Sequence, residues 1–139
     1  MSQPSDPHPA LTQRLKDSFG HDAFREGQRE VIQQVLAGQD CLAVMPTGGG
    51  KSLCFQLPAL LRDGVTLVIS PLIALMKDQV DGLRERGIAA TFINSSLEPA
   101  EREARLAQLA AGEHRLVYVA PERFRSPRFM ATLRQVRVW

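Results

Sequence analysis

The chain has 139 residues and a net charge of +2, from 17 basic and 15 acidic side chains. This length suits one ordinary domain, and a 44% share of hydrophobic residues is enough to bury a core, which excludes a disordered tail. The charge is too small to indicate nucleic-acid binding by itself. No apolar run approaches the ~20 residues of a membrane span, and the polar start lacks the pattern of a secretory signal. We therefore expect a flexible lead-in at residues 1–9, followed by a cytoplasmic globular domain that has no membrane contact.

The chain contains two cysteines, Cys41 and Cys54, and each lies inside an apolar segment. They form no CxxC pair, and no histidine cluster lies near them in the sequence. This pattern excludes a zinc site, a disulfide framework and a thioredoxin-type motif. We expect both cysteines to be small buried hydrophobic residues.

Apolar spacing predicts two helices at the start of the chain. Leu11, Leu15 and Phe19 recur every four residues, and a second helix fits residues 26–37. The short apolar run at 41–44 predicts a strand that is buried on both faces.

Beyond residue 64, the predicted strands and helices alternate. Strands are predicted at 65–70, 90–93 and 116–119, and helices at 73–86, 99–111 and 127–133. Alternating strands and helices imply right-handed crossovers, so the fold class is α/β, a three-layer parallel sheet with helices on both faces. Residues 136–139 again have strand composition and end on the only tryptophan, Trp139. A domain seldom leaves such a large apolar side chain at the end of an unfinished strand, so we expect the chain to be the front portion of a longer α/β domain. The alternative is a short edge strand with a partly buried tryptophan.

A glycine-rich loop, MPTGGGKS at residues 45–52, lies between the strand predicted at 41–44 and a helix predicted to begin near Lys51. Glycines let the backbone point successive N–H groups at a phosphate, which the positive end of the next helix also attracts. Lys51 can reach the β- and γ-phosphates, and the Ser52 hydroxyl can ligate Mg²⁺. The general P-loop pattern has glycine where this chain has Met45. The alternative is a glycine-rich turn with an exposed lysine.

Four segments, in order, resemble the motifs of RecQ-type DNA helicases of superfamily 2, and the methionine before Pro-Thr-Gly is usual in that family. They are FGHDAFREGQ at 19–28, MPTGGGKS at 45–52, SPLIALMKDQ at 70–79 and YVAPER at 118–123. The resemblance implies that residues 10–139 are the N-terminal portion of a helicase ATP-binding domain. This portion is a partial RecA-like P-loop NTPase lobe, truncated before the Walker B motif.

The resemblance also implies ATP and Mg²⁺ as cofactors and assigns residues to them. Gln28 and Arg25 would recognise adenine, since the Gln28 amide offers one donor group and one acceptor and the Arg25 guanidinium can stack on a purine. Without the resemblance, Gln28 would be taken as a solvated residue at a helix start. The phosphates and Mg²⁺ would be held by Thr47, Gly48, Gly49, Gly50, Lys51 and Ser52, with Lys51 as the catalytic residue.

The later motifs resemble the surface with which the family holds single-stranded DNA. Loops at the carboxyl ends of parallel strands gather at one edge of a sheet, where hydroxyl, amide and cationic groups can hold phosphates. The residues expected there are Ser70, Pro71, Lys77, Asn94, Ser95 and Arg123. For Lys77 the alternative is an ordinary exposed charge, because acidic residues lie beside it on the same predicted helix.

By this resemblance the parent protein is an ATP-dependent 3′-to-5′ DNA helicase that acts on single-stranded and partly duplex DNA in recombination and repair. The Asp-Glu-Ala-His motif of the family does not occur in this chain. We therefore expect the chain alone to bind ATP weakly and to unwind nothing. Two alternatives stay open: a small P-loop kinase or transferase, and a non-catalytic remnant that binds nucleotide or DNA. Which proteins this chain binds cannot be read from the sequence.

Overall fold

The computed structural model describes residues 10–46, 48 and 50–139, which form one unit ending at Arg62 and another beginning at Asp63. The lead-in predicted at 1–9 lies outside the described residues. The described part of the first unit is helical and contains α1 (Ala10–Phe19), α2 (Gln28–Leu36) and α3 (Leu53–Leu61).

The helices predicted for the first unit are confirmed. The evenly spaced Leu11, Leu15 and Phe19 are the buried face of α1, as their spacing predicted. Helix α2 packs against α3 and buries Ile32 and Leu36, so the apolar stripe of each helix supplies the core of this unit.

The strand predicted at 41–44 is wrong. These residues belong to no strand, and the side chains of Leu42 and Val44 are 91% and 90% exposed. A strand that buries both faces needs neighbouring strands, and the described part of its unit offers only helices. The expected burial is accordingly wrong for Cys41, which is exposed, and confirmed for Cys54. Burial raises the pKa of the Cys54 thiol, and the nearby Cys41 adds to this effect.

The second unit alternates strands and helices as predicted. Its elements are β1 (Thr66–Ile69), α4 (Ile73–Glu85), β2 (Ala90–Ile93), α5 (Pro99–Ala110), β3 (Leu116–Val119), a 3₁₀ turn (Pro121–Arg125) and α6 (Pro127–Leu133). The strands are parallel in the order β1-β3-β2. The chain steps over β3 to reach β2 and then returns, so right-handed crossovers put α4 and α5 on opposite faces of the sheet. This arrangement confirms the predicted α/β class.

The predicted strand at 136–139 is present as a single parallel bridge between Val65 and Val138. The Val65 N–H donates to the Arg137 carbonyl at 2.8 Å, and the Trp139 N–H donates to the Val65 carbonyl at 2.9 Å. This bridge lies on the side of β1 away from β3, because Thr66 N–H donates toward β3, to the Arg115 carbonyl. The strand composition of 136–139 therefore corresponds to pairing along the outer edge of β1.

One core cluster of the second unit lies where α5 and α6 meet the sheet. It is formed by Val65, Ile93, Leu106, Leu109, Val117, Val119 and Phe129. The three strands end level with one another, because Ile69 and Ile93 both pair with Val119. The segments that follow them therefore start at one edge of the sheet. Within the described ranges, each helix is too short or too polar to cross a membrane.

Candidate functional site

Two glycines of the loop have a backbone conformation that suits a phosphate cradle. Gly48 and Gly50 have φ values of +80° and +77°, in the left-handed region that L side chains rarely adopt. Thr47 and Gly49, predicted to bind phosphate, lie outside the described residues. Glycines with a left-handed backbone let a loop turn N–H groups toward one side, which favours an anion there.

Gln28 is bound directly to this loop. Its side chain is 3% exposed, its Oε1 accepts from the Arg25 N–H at 2.8 Å, and its Nε2 donates to the Gly50 carbonyl at 3.0 Å. These two contacts fix which end of the amide is oxygen and which is nitrogen. Gln28 therefore holds the loop, and these two contacts leave one N–H and one lone pair of its amide unused.

The second predicted adenine residue also contacts the loop. Nη1 of the exposed Arg25 donates to the Gly48 carbonyl at 2.5 Å. The resemblance implied that Arg25 stacks on the purine, and it did not predict the hydrogen bond to the loop. Arg25 and Gln28 thus bind the two described glycines of the loop through their carbonyls.

A cavity of about 470 Å³ lies beside Arg25. Its apolar wall was not predicted from the sequence, although Met45, which stands where the general P-loop pattern has glycine, was a signal of it. A Cβ on Gly27 would lie 3.6 Å from Met45 Cε, an ordinary van der Waals distance, so Gly27 and Met45 are neighbours in this wall. The lining residues are Arg25, Glu26, Gly27, Val31, Ala43, Val44, Met45 and Pro46. A cavity that has an apolar wall and the Arg25 guanidinium in its lining suits a flat heterocycle.

Lys51 and Ser52 lie at the start of α3. The Ser52 carbonyl accepts from the Gln56 N–H at 3.0 Å, while its hydroxyl makes no capping bond to the helix. That hydroxyl oxygen is a ligand suited to Mg²⁺, and the exposed Lys51 places a cation directly after the glycines of the loop. The residues present therefore fit the Mg²⁺ complex of a nucleoside triphosphate.

The residues predicted to bind DNA follow the level ends of the three strands. Ser70 follows β1, and its Oγ accepts from the Leu72 N–H at 3.1 Å, which shapes the turn around the exposed Pro71. Arg123 lies in the 3₁₀ turn after β3 and is half-buried.

Asn94, which follows β2, is buried rather than presented to solvent. Its Oδ1 accepts from the Ser96 N–H at 2.9 Å and from the Ser96 hydroxyl at 2.5 Å, and its Nδ2 lies 3.5 Å from Met76 Sδ. Asn94 therefore builds the turn that leaves Ser95 exposed.

Lys77 is exposed on α4 and is already paired. Its Nζ lies 2.5 Å from Asp81 Oδ2, one helical turn further on. This hydrogen bond, and then the charge of Asp81, raise the pKa of Lys77. A phosphate that binds Lys77 must compete with Asp81.

Comparison with known proteins supports the resemblance seen in the motifs. Residues 25–138 match the DEAD/DEAH box helicase family. The protein named ATP-dependent DNA helicase RecQ is 49% identical in Haemophilus influenzae over 130 residues, which are 94% of this chain and 21% of that protein. The protein of the same name in Synechocystis is 49% identical over 93% of this chain and 27% of its own length. The Bacillus subtilis RecQ is 50% identical over 89% of this chain and 21% of its own length.

The chain thus spans between 21% and 27% of the length of these three relatives. The predicted resemblance to RecQ-type helicases is confirmed, and the match argues against a small kinase or transferase. The chain belongs to the DEAD/DEAH box helicase family, in which it is similar to the N-terminal portion of RecQ helicases.

Proposed function

We propose that this chain is the ATP-binding segment of a RecQ-type ATP-dependent DNA helicase, whose parent couples ATP hydrolysis to DNA unwinding. The observation that carries the proposal is the pair of hydrogen bonds from Gln28 to Gly50 and from Arg25 to Gly48. They join the residues suited to adenine to the loop suited to phosphates. One nucleotide can therefore engage both groups at once.

In this proposal each part of the site has one task. The cavity beside Arg25 takes the adenine ring. Gln28 directly follows Gly27 of the cavity wall, and the N–H and lone pair that its loop contacts leave unused would bind the edge of the ring. Loop amides and the Lys51 ammonium bind the β- and γ-phosphates, which holds the terminal phosphate in place for attack. The Ser52 hydroxyl would hold Mg²⁺, which neutralises charge that develops on the phosphates.

We further propose that the sheet edge binds the backbone of single-stranded DNA. The exposed Ser95, the half-buried Arg123 and the Asp81-paired Lys77 offer phosphate contacts that do not depend on base sequence, and Pro71 shapes the turn at the same edge. Action on partly duplex DNA, 3′-to-5′ direction, a role in recombination and repair, and a cytoplasmic location belong to the same proposal. Their support is the resemblance to the RecQ family.

Titration of the chain with Mg·ATP tests the nucleotide site. Binding is followed by displacement of a fluorescent ATP analogue from wild type, Lys51→Ala and Lys16→Ala, a variant that removes an exposed lysine of α1. We expect Lys51→Ala to weaken binding by about tenfold or more and Lys16→Ala to leave it unchanged, because only Lys51 adjoins the loop. Equal affinities in all three proteins would contradict the assignment.

A further inference from the structure

Strand β2 has one edge without a strand partner among the described residues, since the sheet order is β1-β3-β2. The Leu116 N–H of β3 donates to the Ala89 carbonyl at 3.3 Å. Successive carbonyls of a strand alternate in direction, so those of Ala90 and Phe92 face away from β3. These are the acceptors that an added strand would use.

Two arginines occupy these acceptors. Arg84, in the last turn of α4, donates from Nε to the Ala90 carbonyl at 2.9 Å. Arg105, on α5, donates from Nη1 to the Phe92 carbonyl at 2.8 Å. The outward-facing carbonyls of β2 are therefore bonded from helices on the two opposite faces of the sheet.

The two arginines meet at the residue between these carbonyls. The Thr91 hydroxyl lies 3.5 Å from Arg84 Nη2 and 3.4 Å from Arg105 Nη1. Their positively charged groups thus form a continuous cover along the edge, over three consecutive residues of β2.

Arg105 is held firmly in its position. Its side chain is 13% exposed, its Nη2 pairs with Glu101 Oε1 at 2.6 Å, and its guanidinium carbon lies 4.4 Å from the centre of the Phe92 ring. An exposed charge without such contacts would move freely and leave the edge open much of the time. The ion pair and the ring contact keep the guanidinium on the Phe92 carbonyl.

We propose that Arg84 and Arg105 close the free edge of β2 against pairing with a strand of a second copy of this chain. An unpaired strand edge is a template for association, and charged groups placed on it oppose that association. The pair would keep the helicase segment from joining edge to edge. This inference is independent of the nucleotide site.

The test compares Arg84→Met/Arg105→Met with the control Arg14→Met/Arg134→Met, which removes two exposed arginines elsewhere and changes the net charge equally. Association is measured by light scattering over a concentration series. We expect the edge variant to self-associate at a concentration about tenfold or more below that of wild type and the control. An edge variant that stays as monomeric as the control overturns the proposal.

Hydrogen exchange identifies the surface used for association. In the edge variant, the Ala90 and Phe92 amides should become protected as concentration rises, because they face the edge. Association that leaves both amides unprotected would use another surface and would overturn the proposal. Should the double variant fail to fold, Arg84→Met alone applies the same test, because Arg84 is exposed and the Ala90 carbonyl opens without it. Circular dichroism reports folding in each case.

Discussion

Gly50 lies so close to Gln28 that no side chain fits between them. A Cβ built on Gly50 would lie 2.3 Å from Gln28 Nε2, while the Gln28 amide donates to the Gly50 carbonyl at 3.0 Å. The absence of a side chain at Gly50 thus permits the bond between the adenine residue and the phosphate loop. A substitution at Gly50 or at Gln28 should therefore disturb the contact between them.

The first prediction concerns Gly50→Ala, with Gly48→Ala as its control. Both glycines have a left-handed backbone, with φ of +77° and +80°, but a Cβ on Gly48 meets nothing within 4 Å. Both variants should lose about 1 kcal/mol of unfolding free energy from backbone strain. Gly50→Ala should lose about 1–2 kcal/mol more, because the Cβ displaces the buried Gln28 amide. Urea unfolding measures the difference, and equal losses would disprove the close contact.

The second prediction is that Gln28→Glu destabilises the loop in a way that acid relieves. The carboxylate would face the Gly50 carbonyl without a proton to donate, which should cost about 1–3 kcal/mol. Protonation restores a donor, so the deficit relative to wild type should shrink as pH falls. Gln34→Glu, an equal charge change at an exposed position of α2, is the control. Urea unfolding at about pH 7 and about pH 4.5 measures the loss of unfolding free energy relative to wild type. A loss that grows in acid would contradict the hydrogen bond from Gln28 to Gly50.

Periodic apolar residues predicted most of the fold because they report local burial. The helix α1 was predicted from the spacing of Leu11, Leu15 and Phe19. The three strands of the sheet were predicted from short apolar runs that alternate with helical patterns. The apolar run at 41–44 led to a wrong strand prediction. Apolar composition indicates a tendency to be buried, but it does not indicate whether partner strands are present.

The candidate site was predictable in its residue types and not in its contacts. Glycine, lysine and serine in the order of residues 48–52 indicate a phosphate cradle from local chemistry alone. The bond from Gln28 to Gly50 joins residues 22 positions apart, so it depends on how α2 and the loop pack. Asn94 was predicted as a DNA contact because amides bind phosphates, and only the folded turn shows that Ser96 occupies its Oδ1. Whether Asn94 also touches DNA stays a prediction.

The third prediction is that His114 makes stability fall in mild acid. Burial, and then the charge of Arg84, lower the pKa of His114 from 6.5, and neither ring nitrogen has a hydrogen-bond partner among the described residues. As pH falls below 6.5, the unfolded chain takes up the proton first, so the folded state loses stability until the lowered pKa is passed.

His114→Gln should remove this part of the pH dependence, whereas His21→Gln, at an exposed position, should keep it. Urea unfolding at about pH 7.5 and about pH 5 measures the slope. If the unfolding free energy of His114→Gln falls between these pH values as much as that of wild type, groups other than His114 cause the pH dependence.

The fourth prediction is that Asp81 limits DNA binding by Lys77. Asp81→Asn removes the charge 2.5 Å from Lys77 Nζ, so the ammonium becomes available to a phosphate. Affinity for a labelled oligothymidylate, measured by fluorescence anisotropy, should rise a few-fold, and the salt slope should steepen by about one counterion. Asp78→Asn makes the same charge change at the exposed neighbouring position, where the acidic group acts on Lys77 only through its more distant charge, and should have the smaller effect. Because each variant removes one negative charge from α4, equal gains would show a general charge effect and no specific competition between Asp81 and DNA for Lys77.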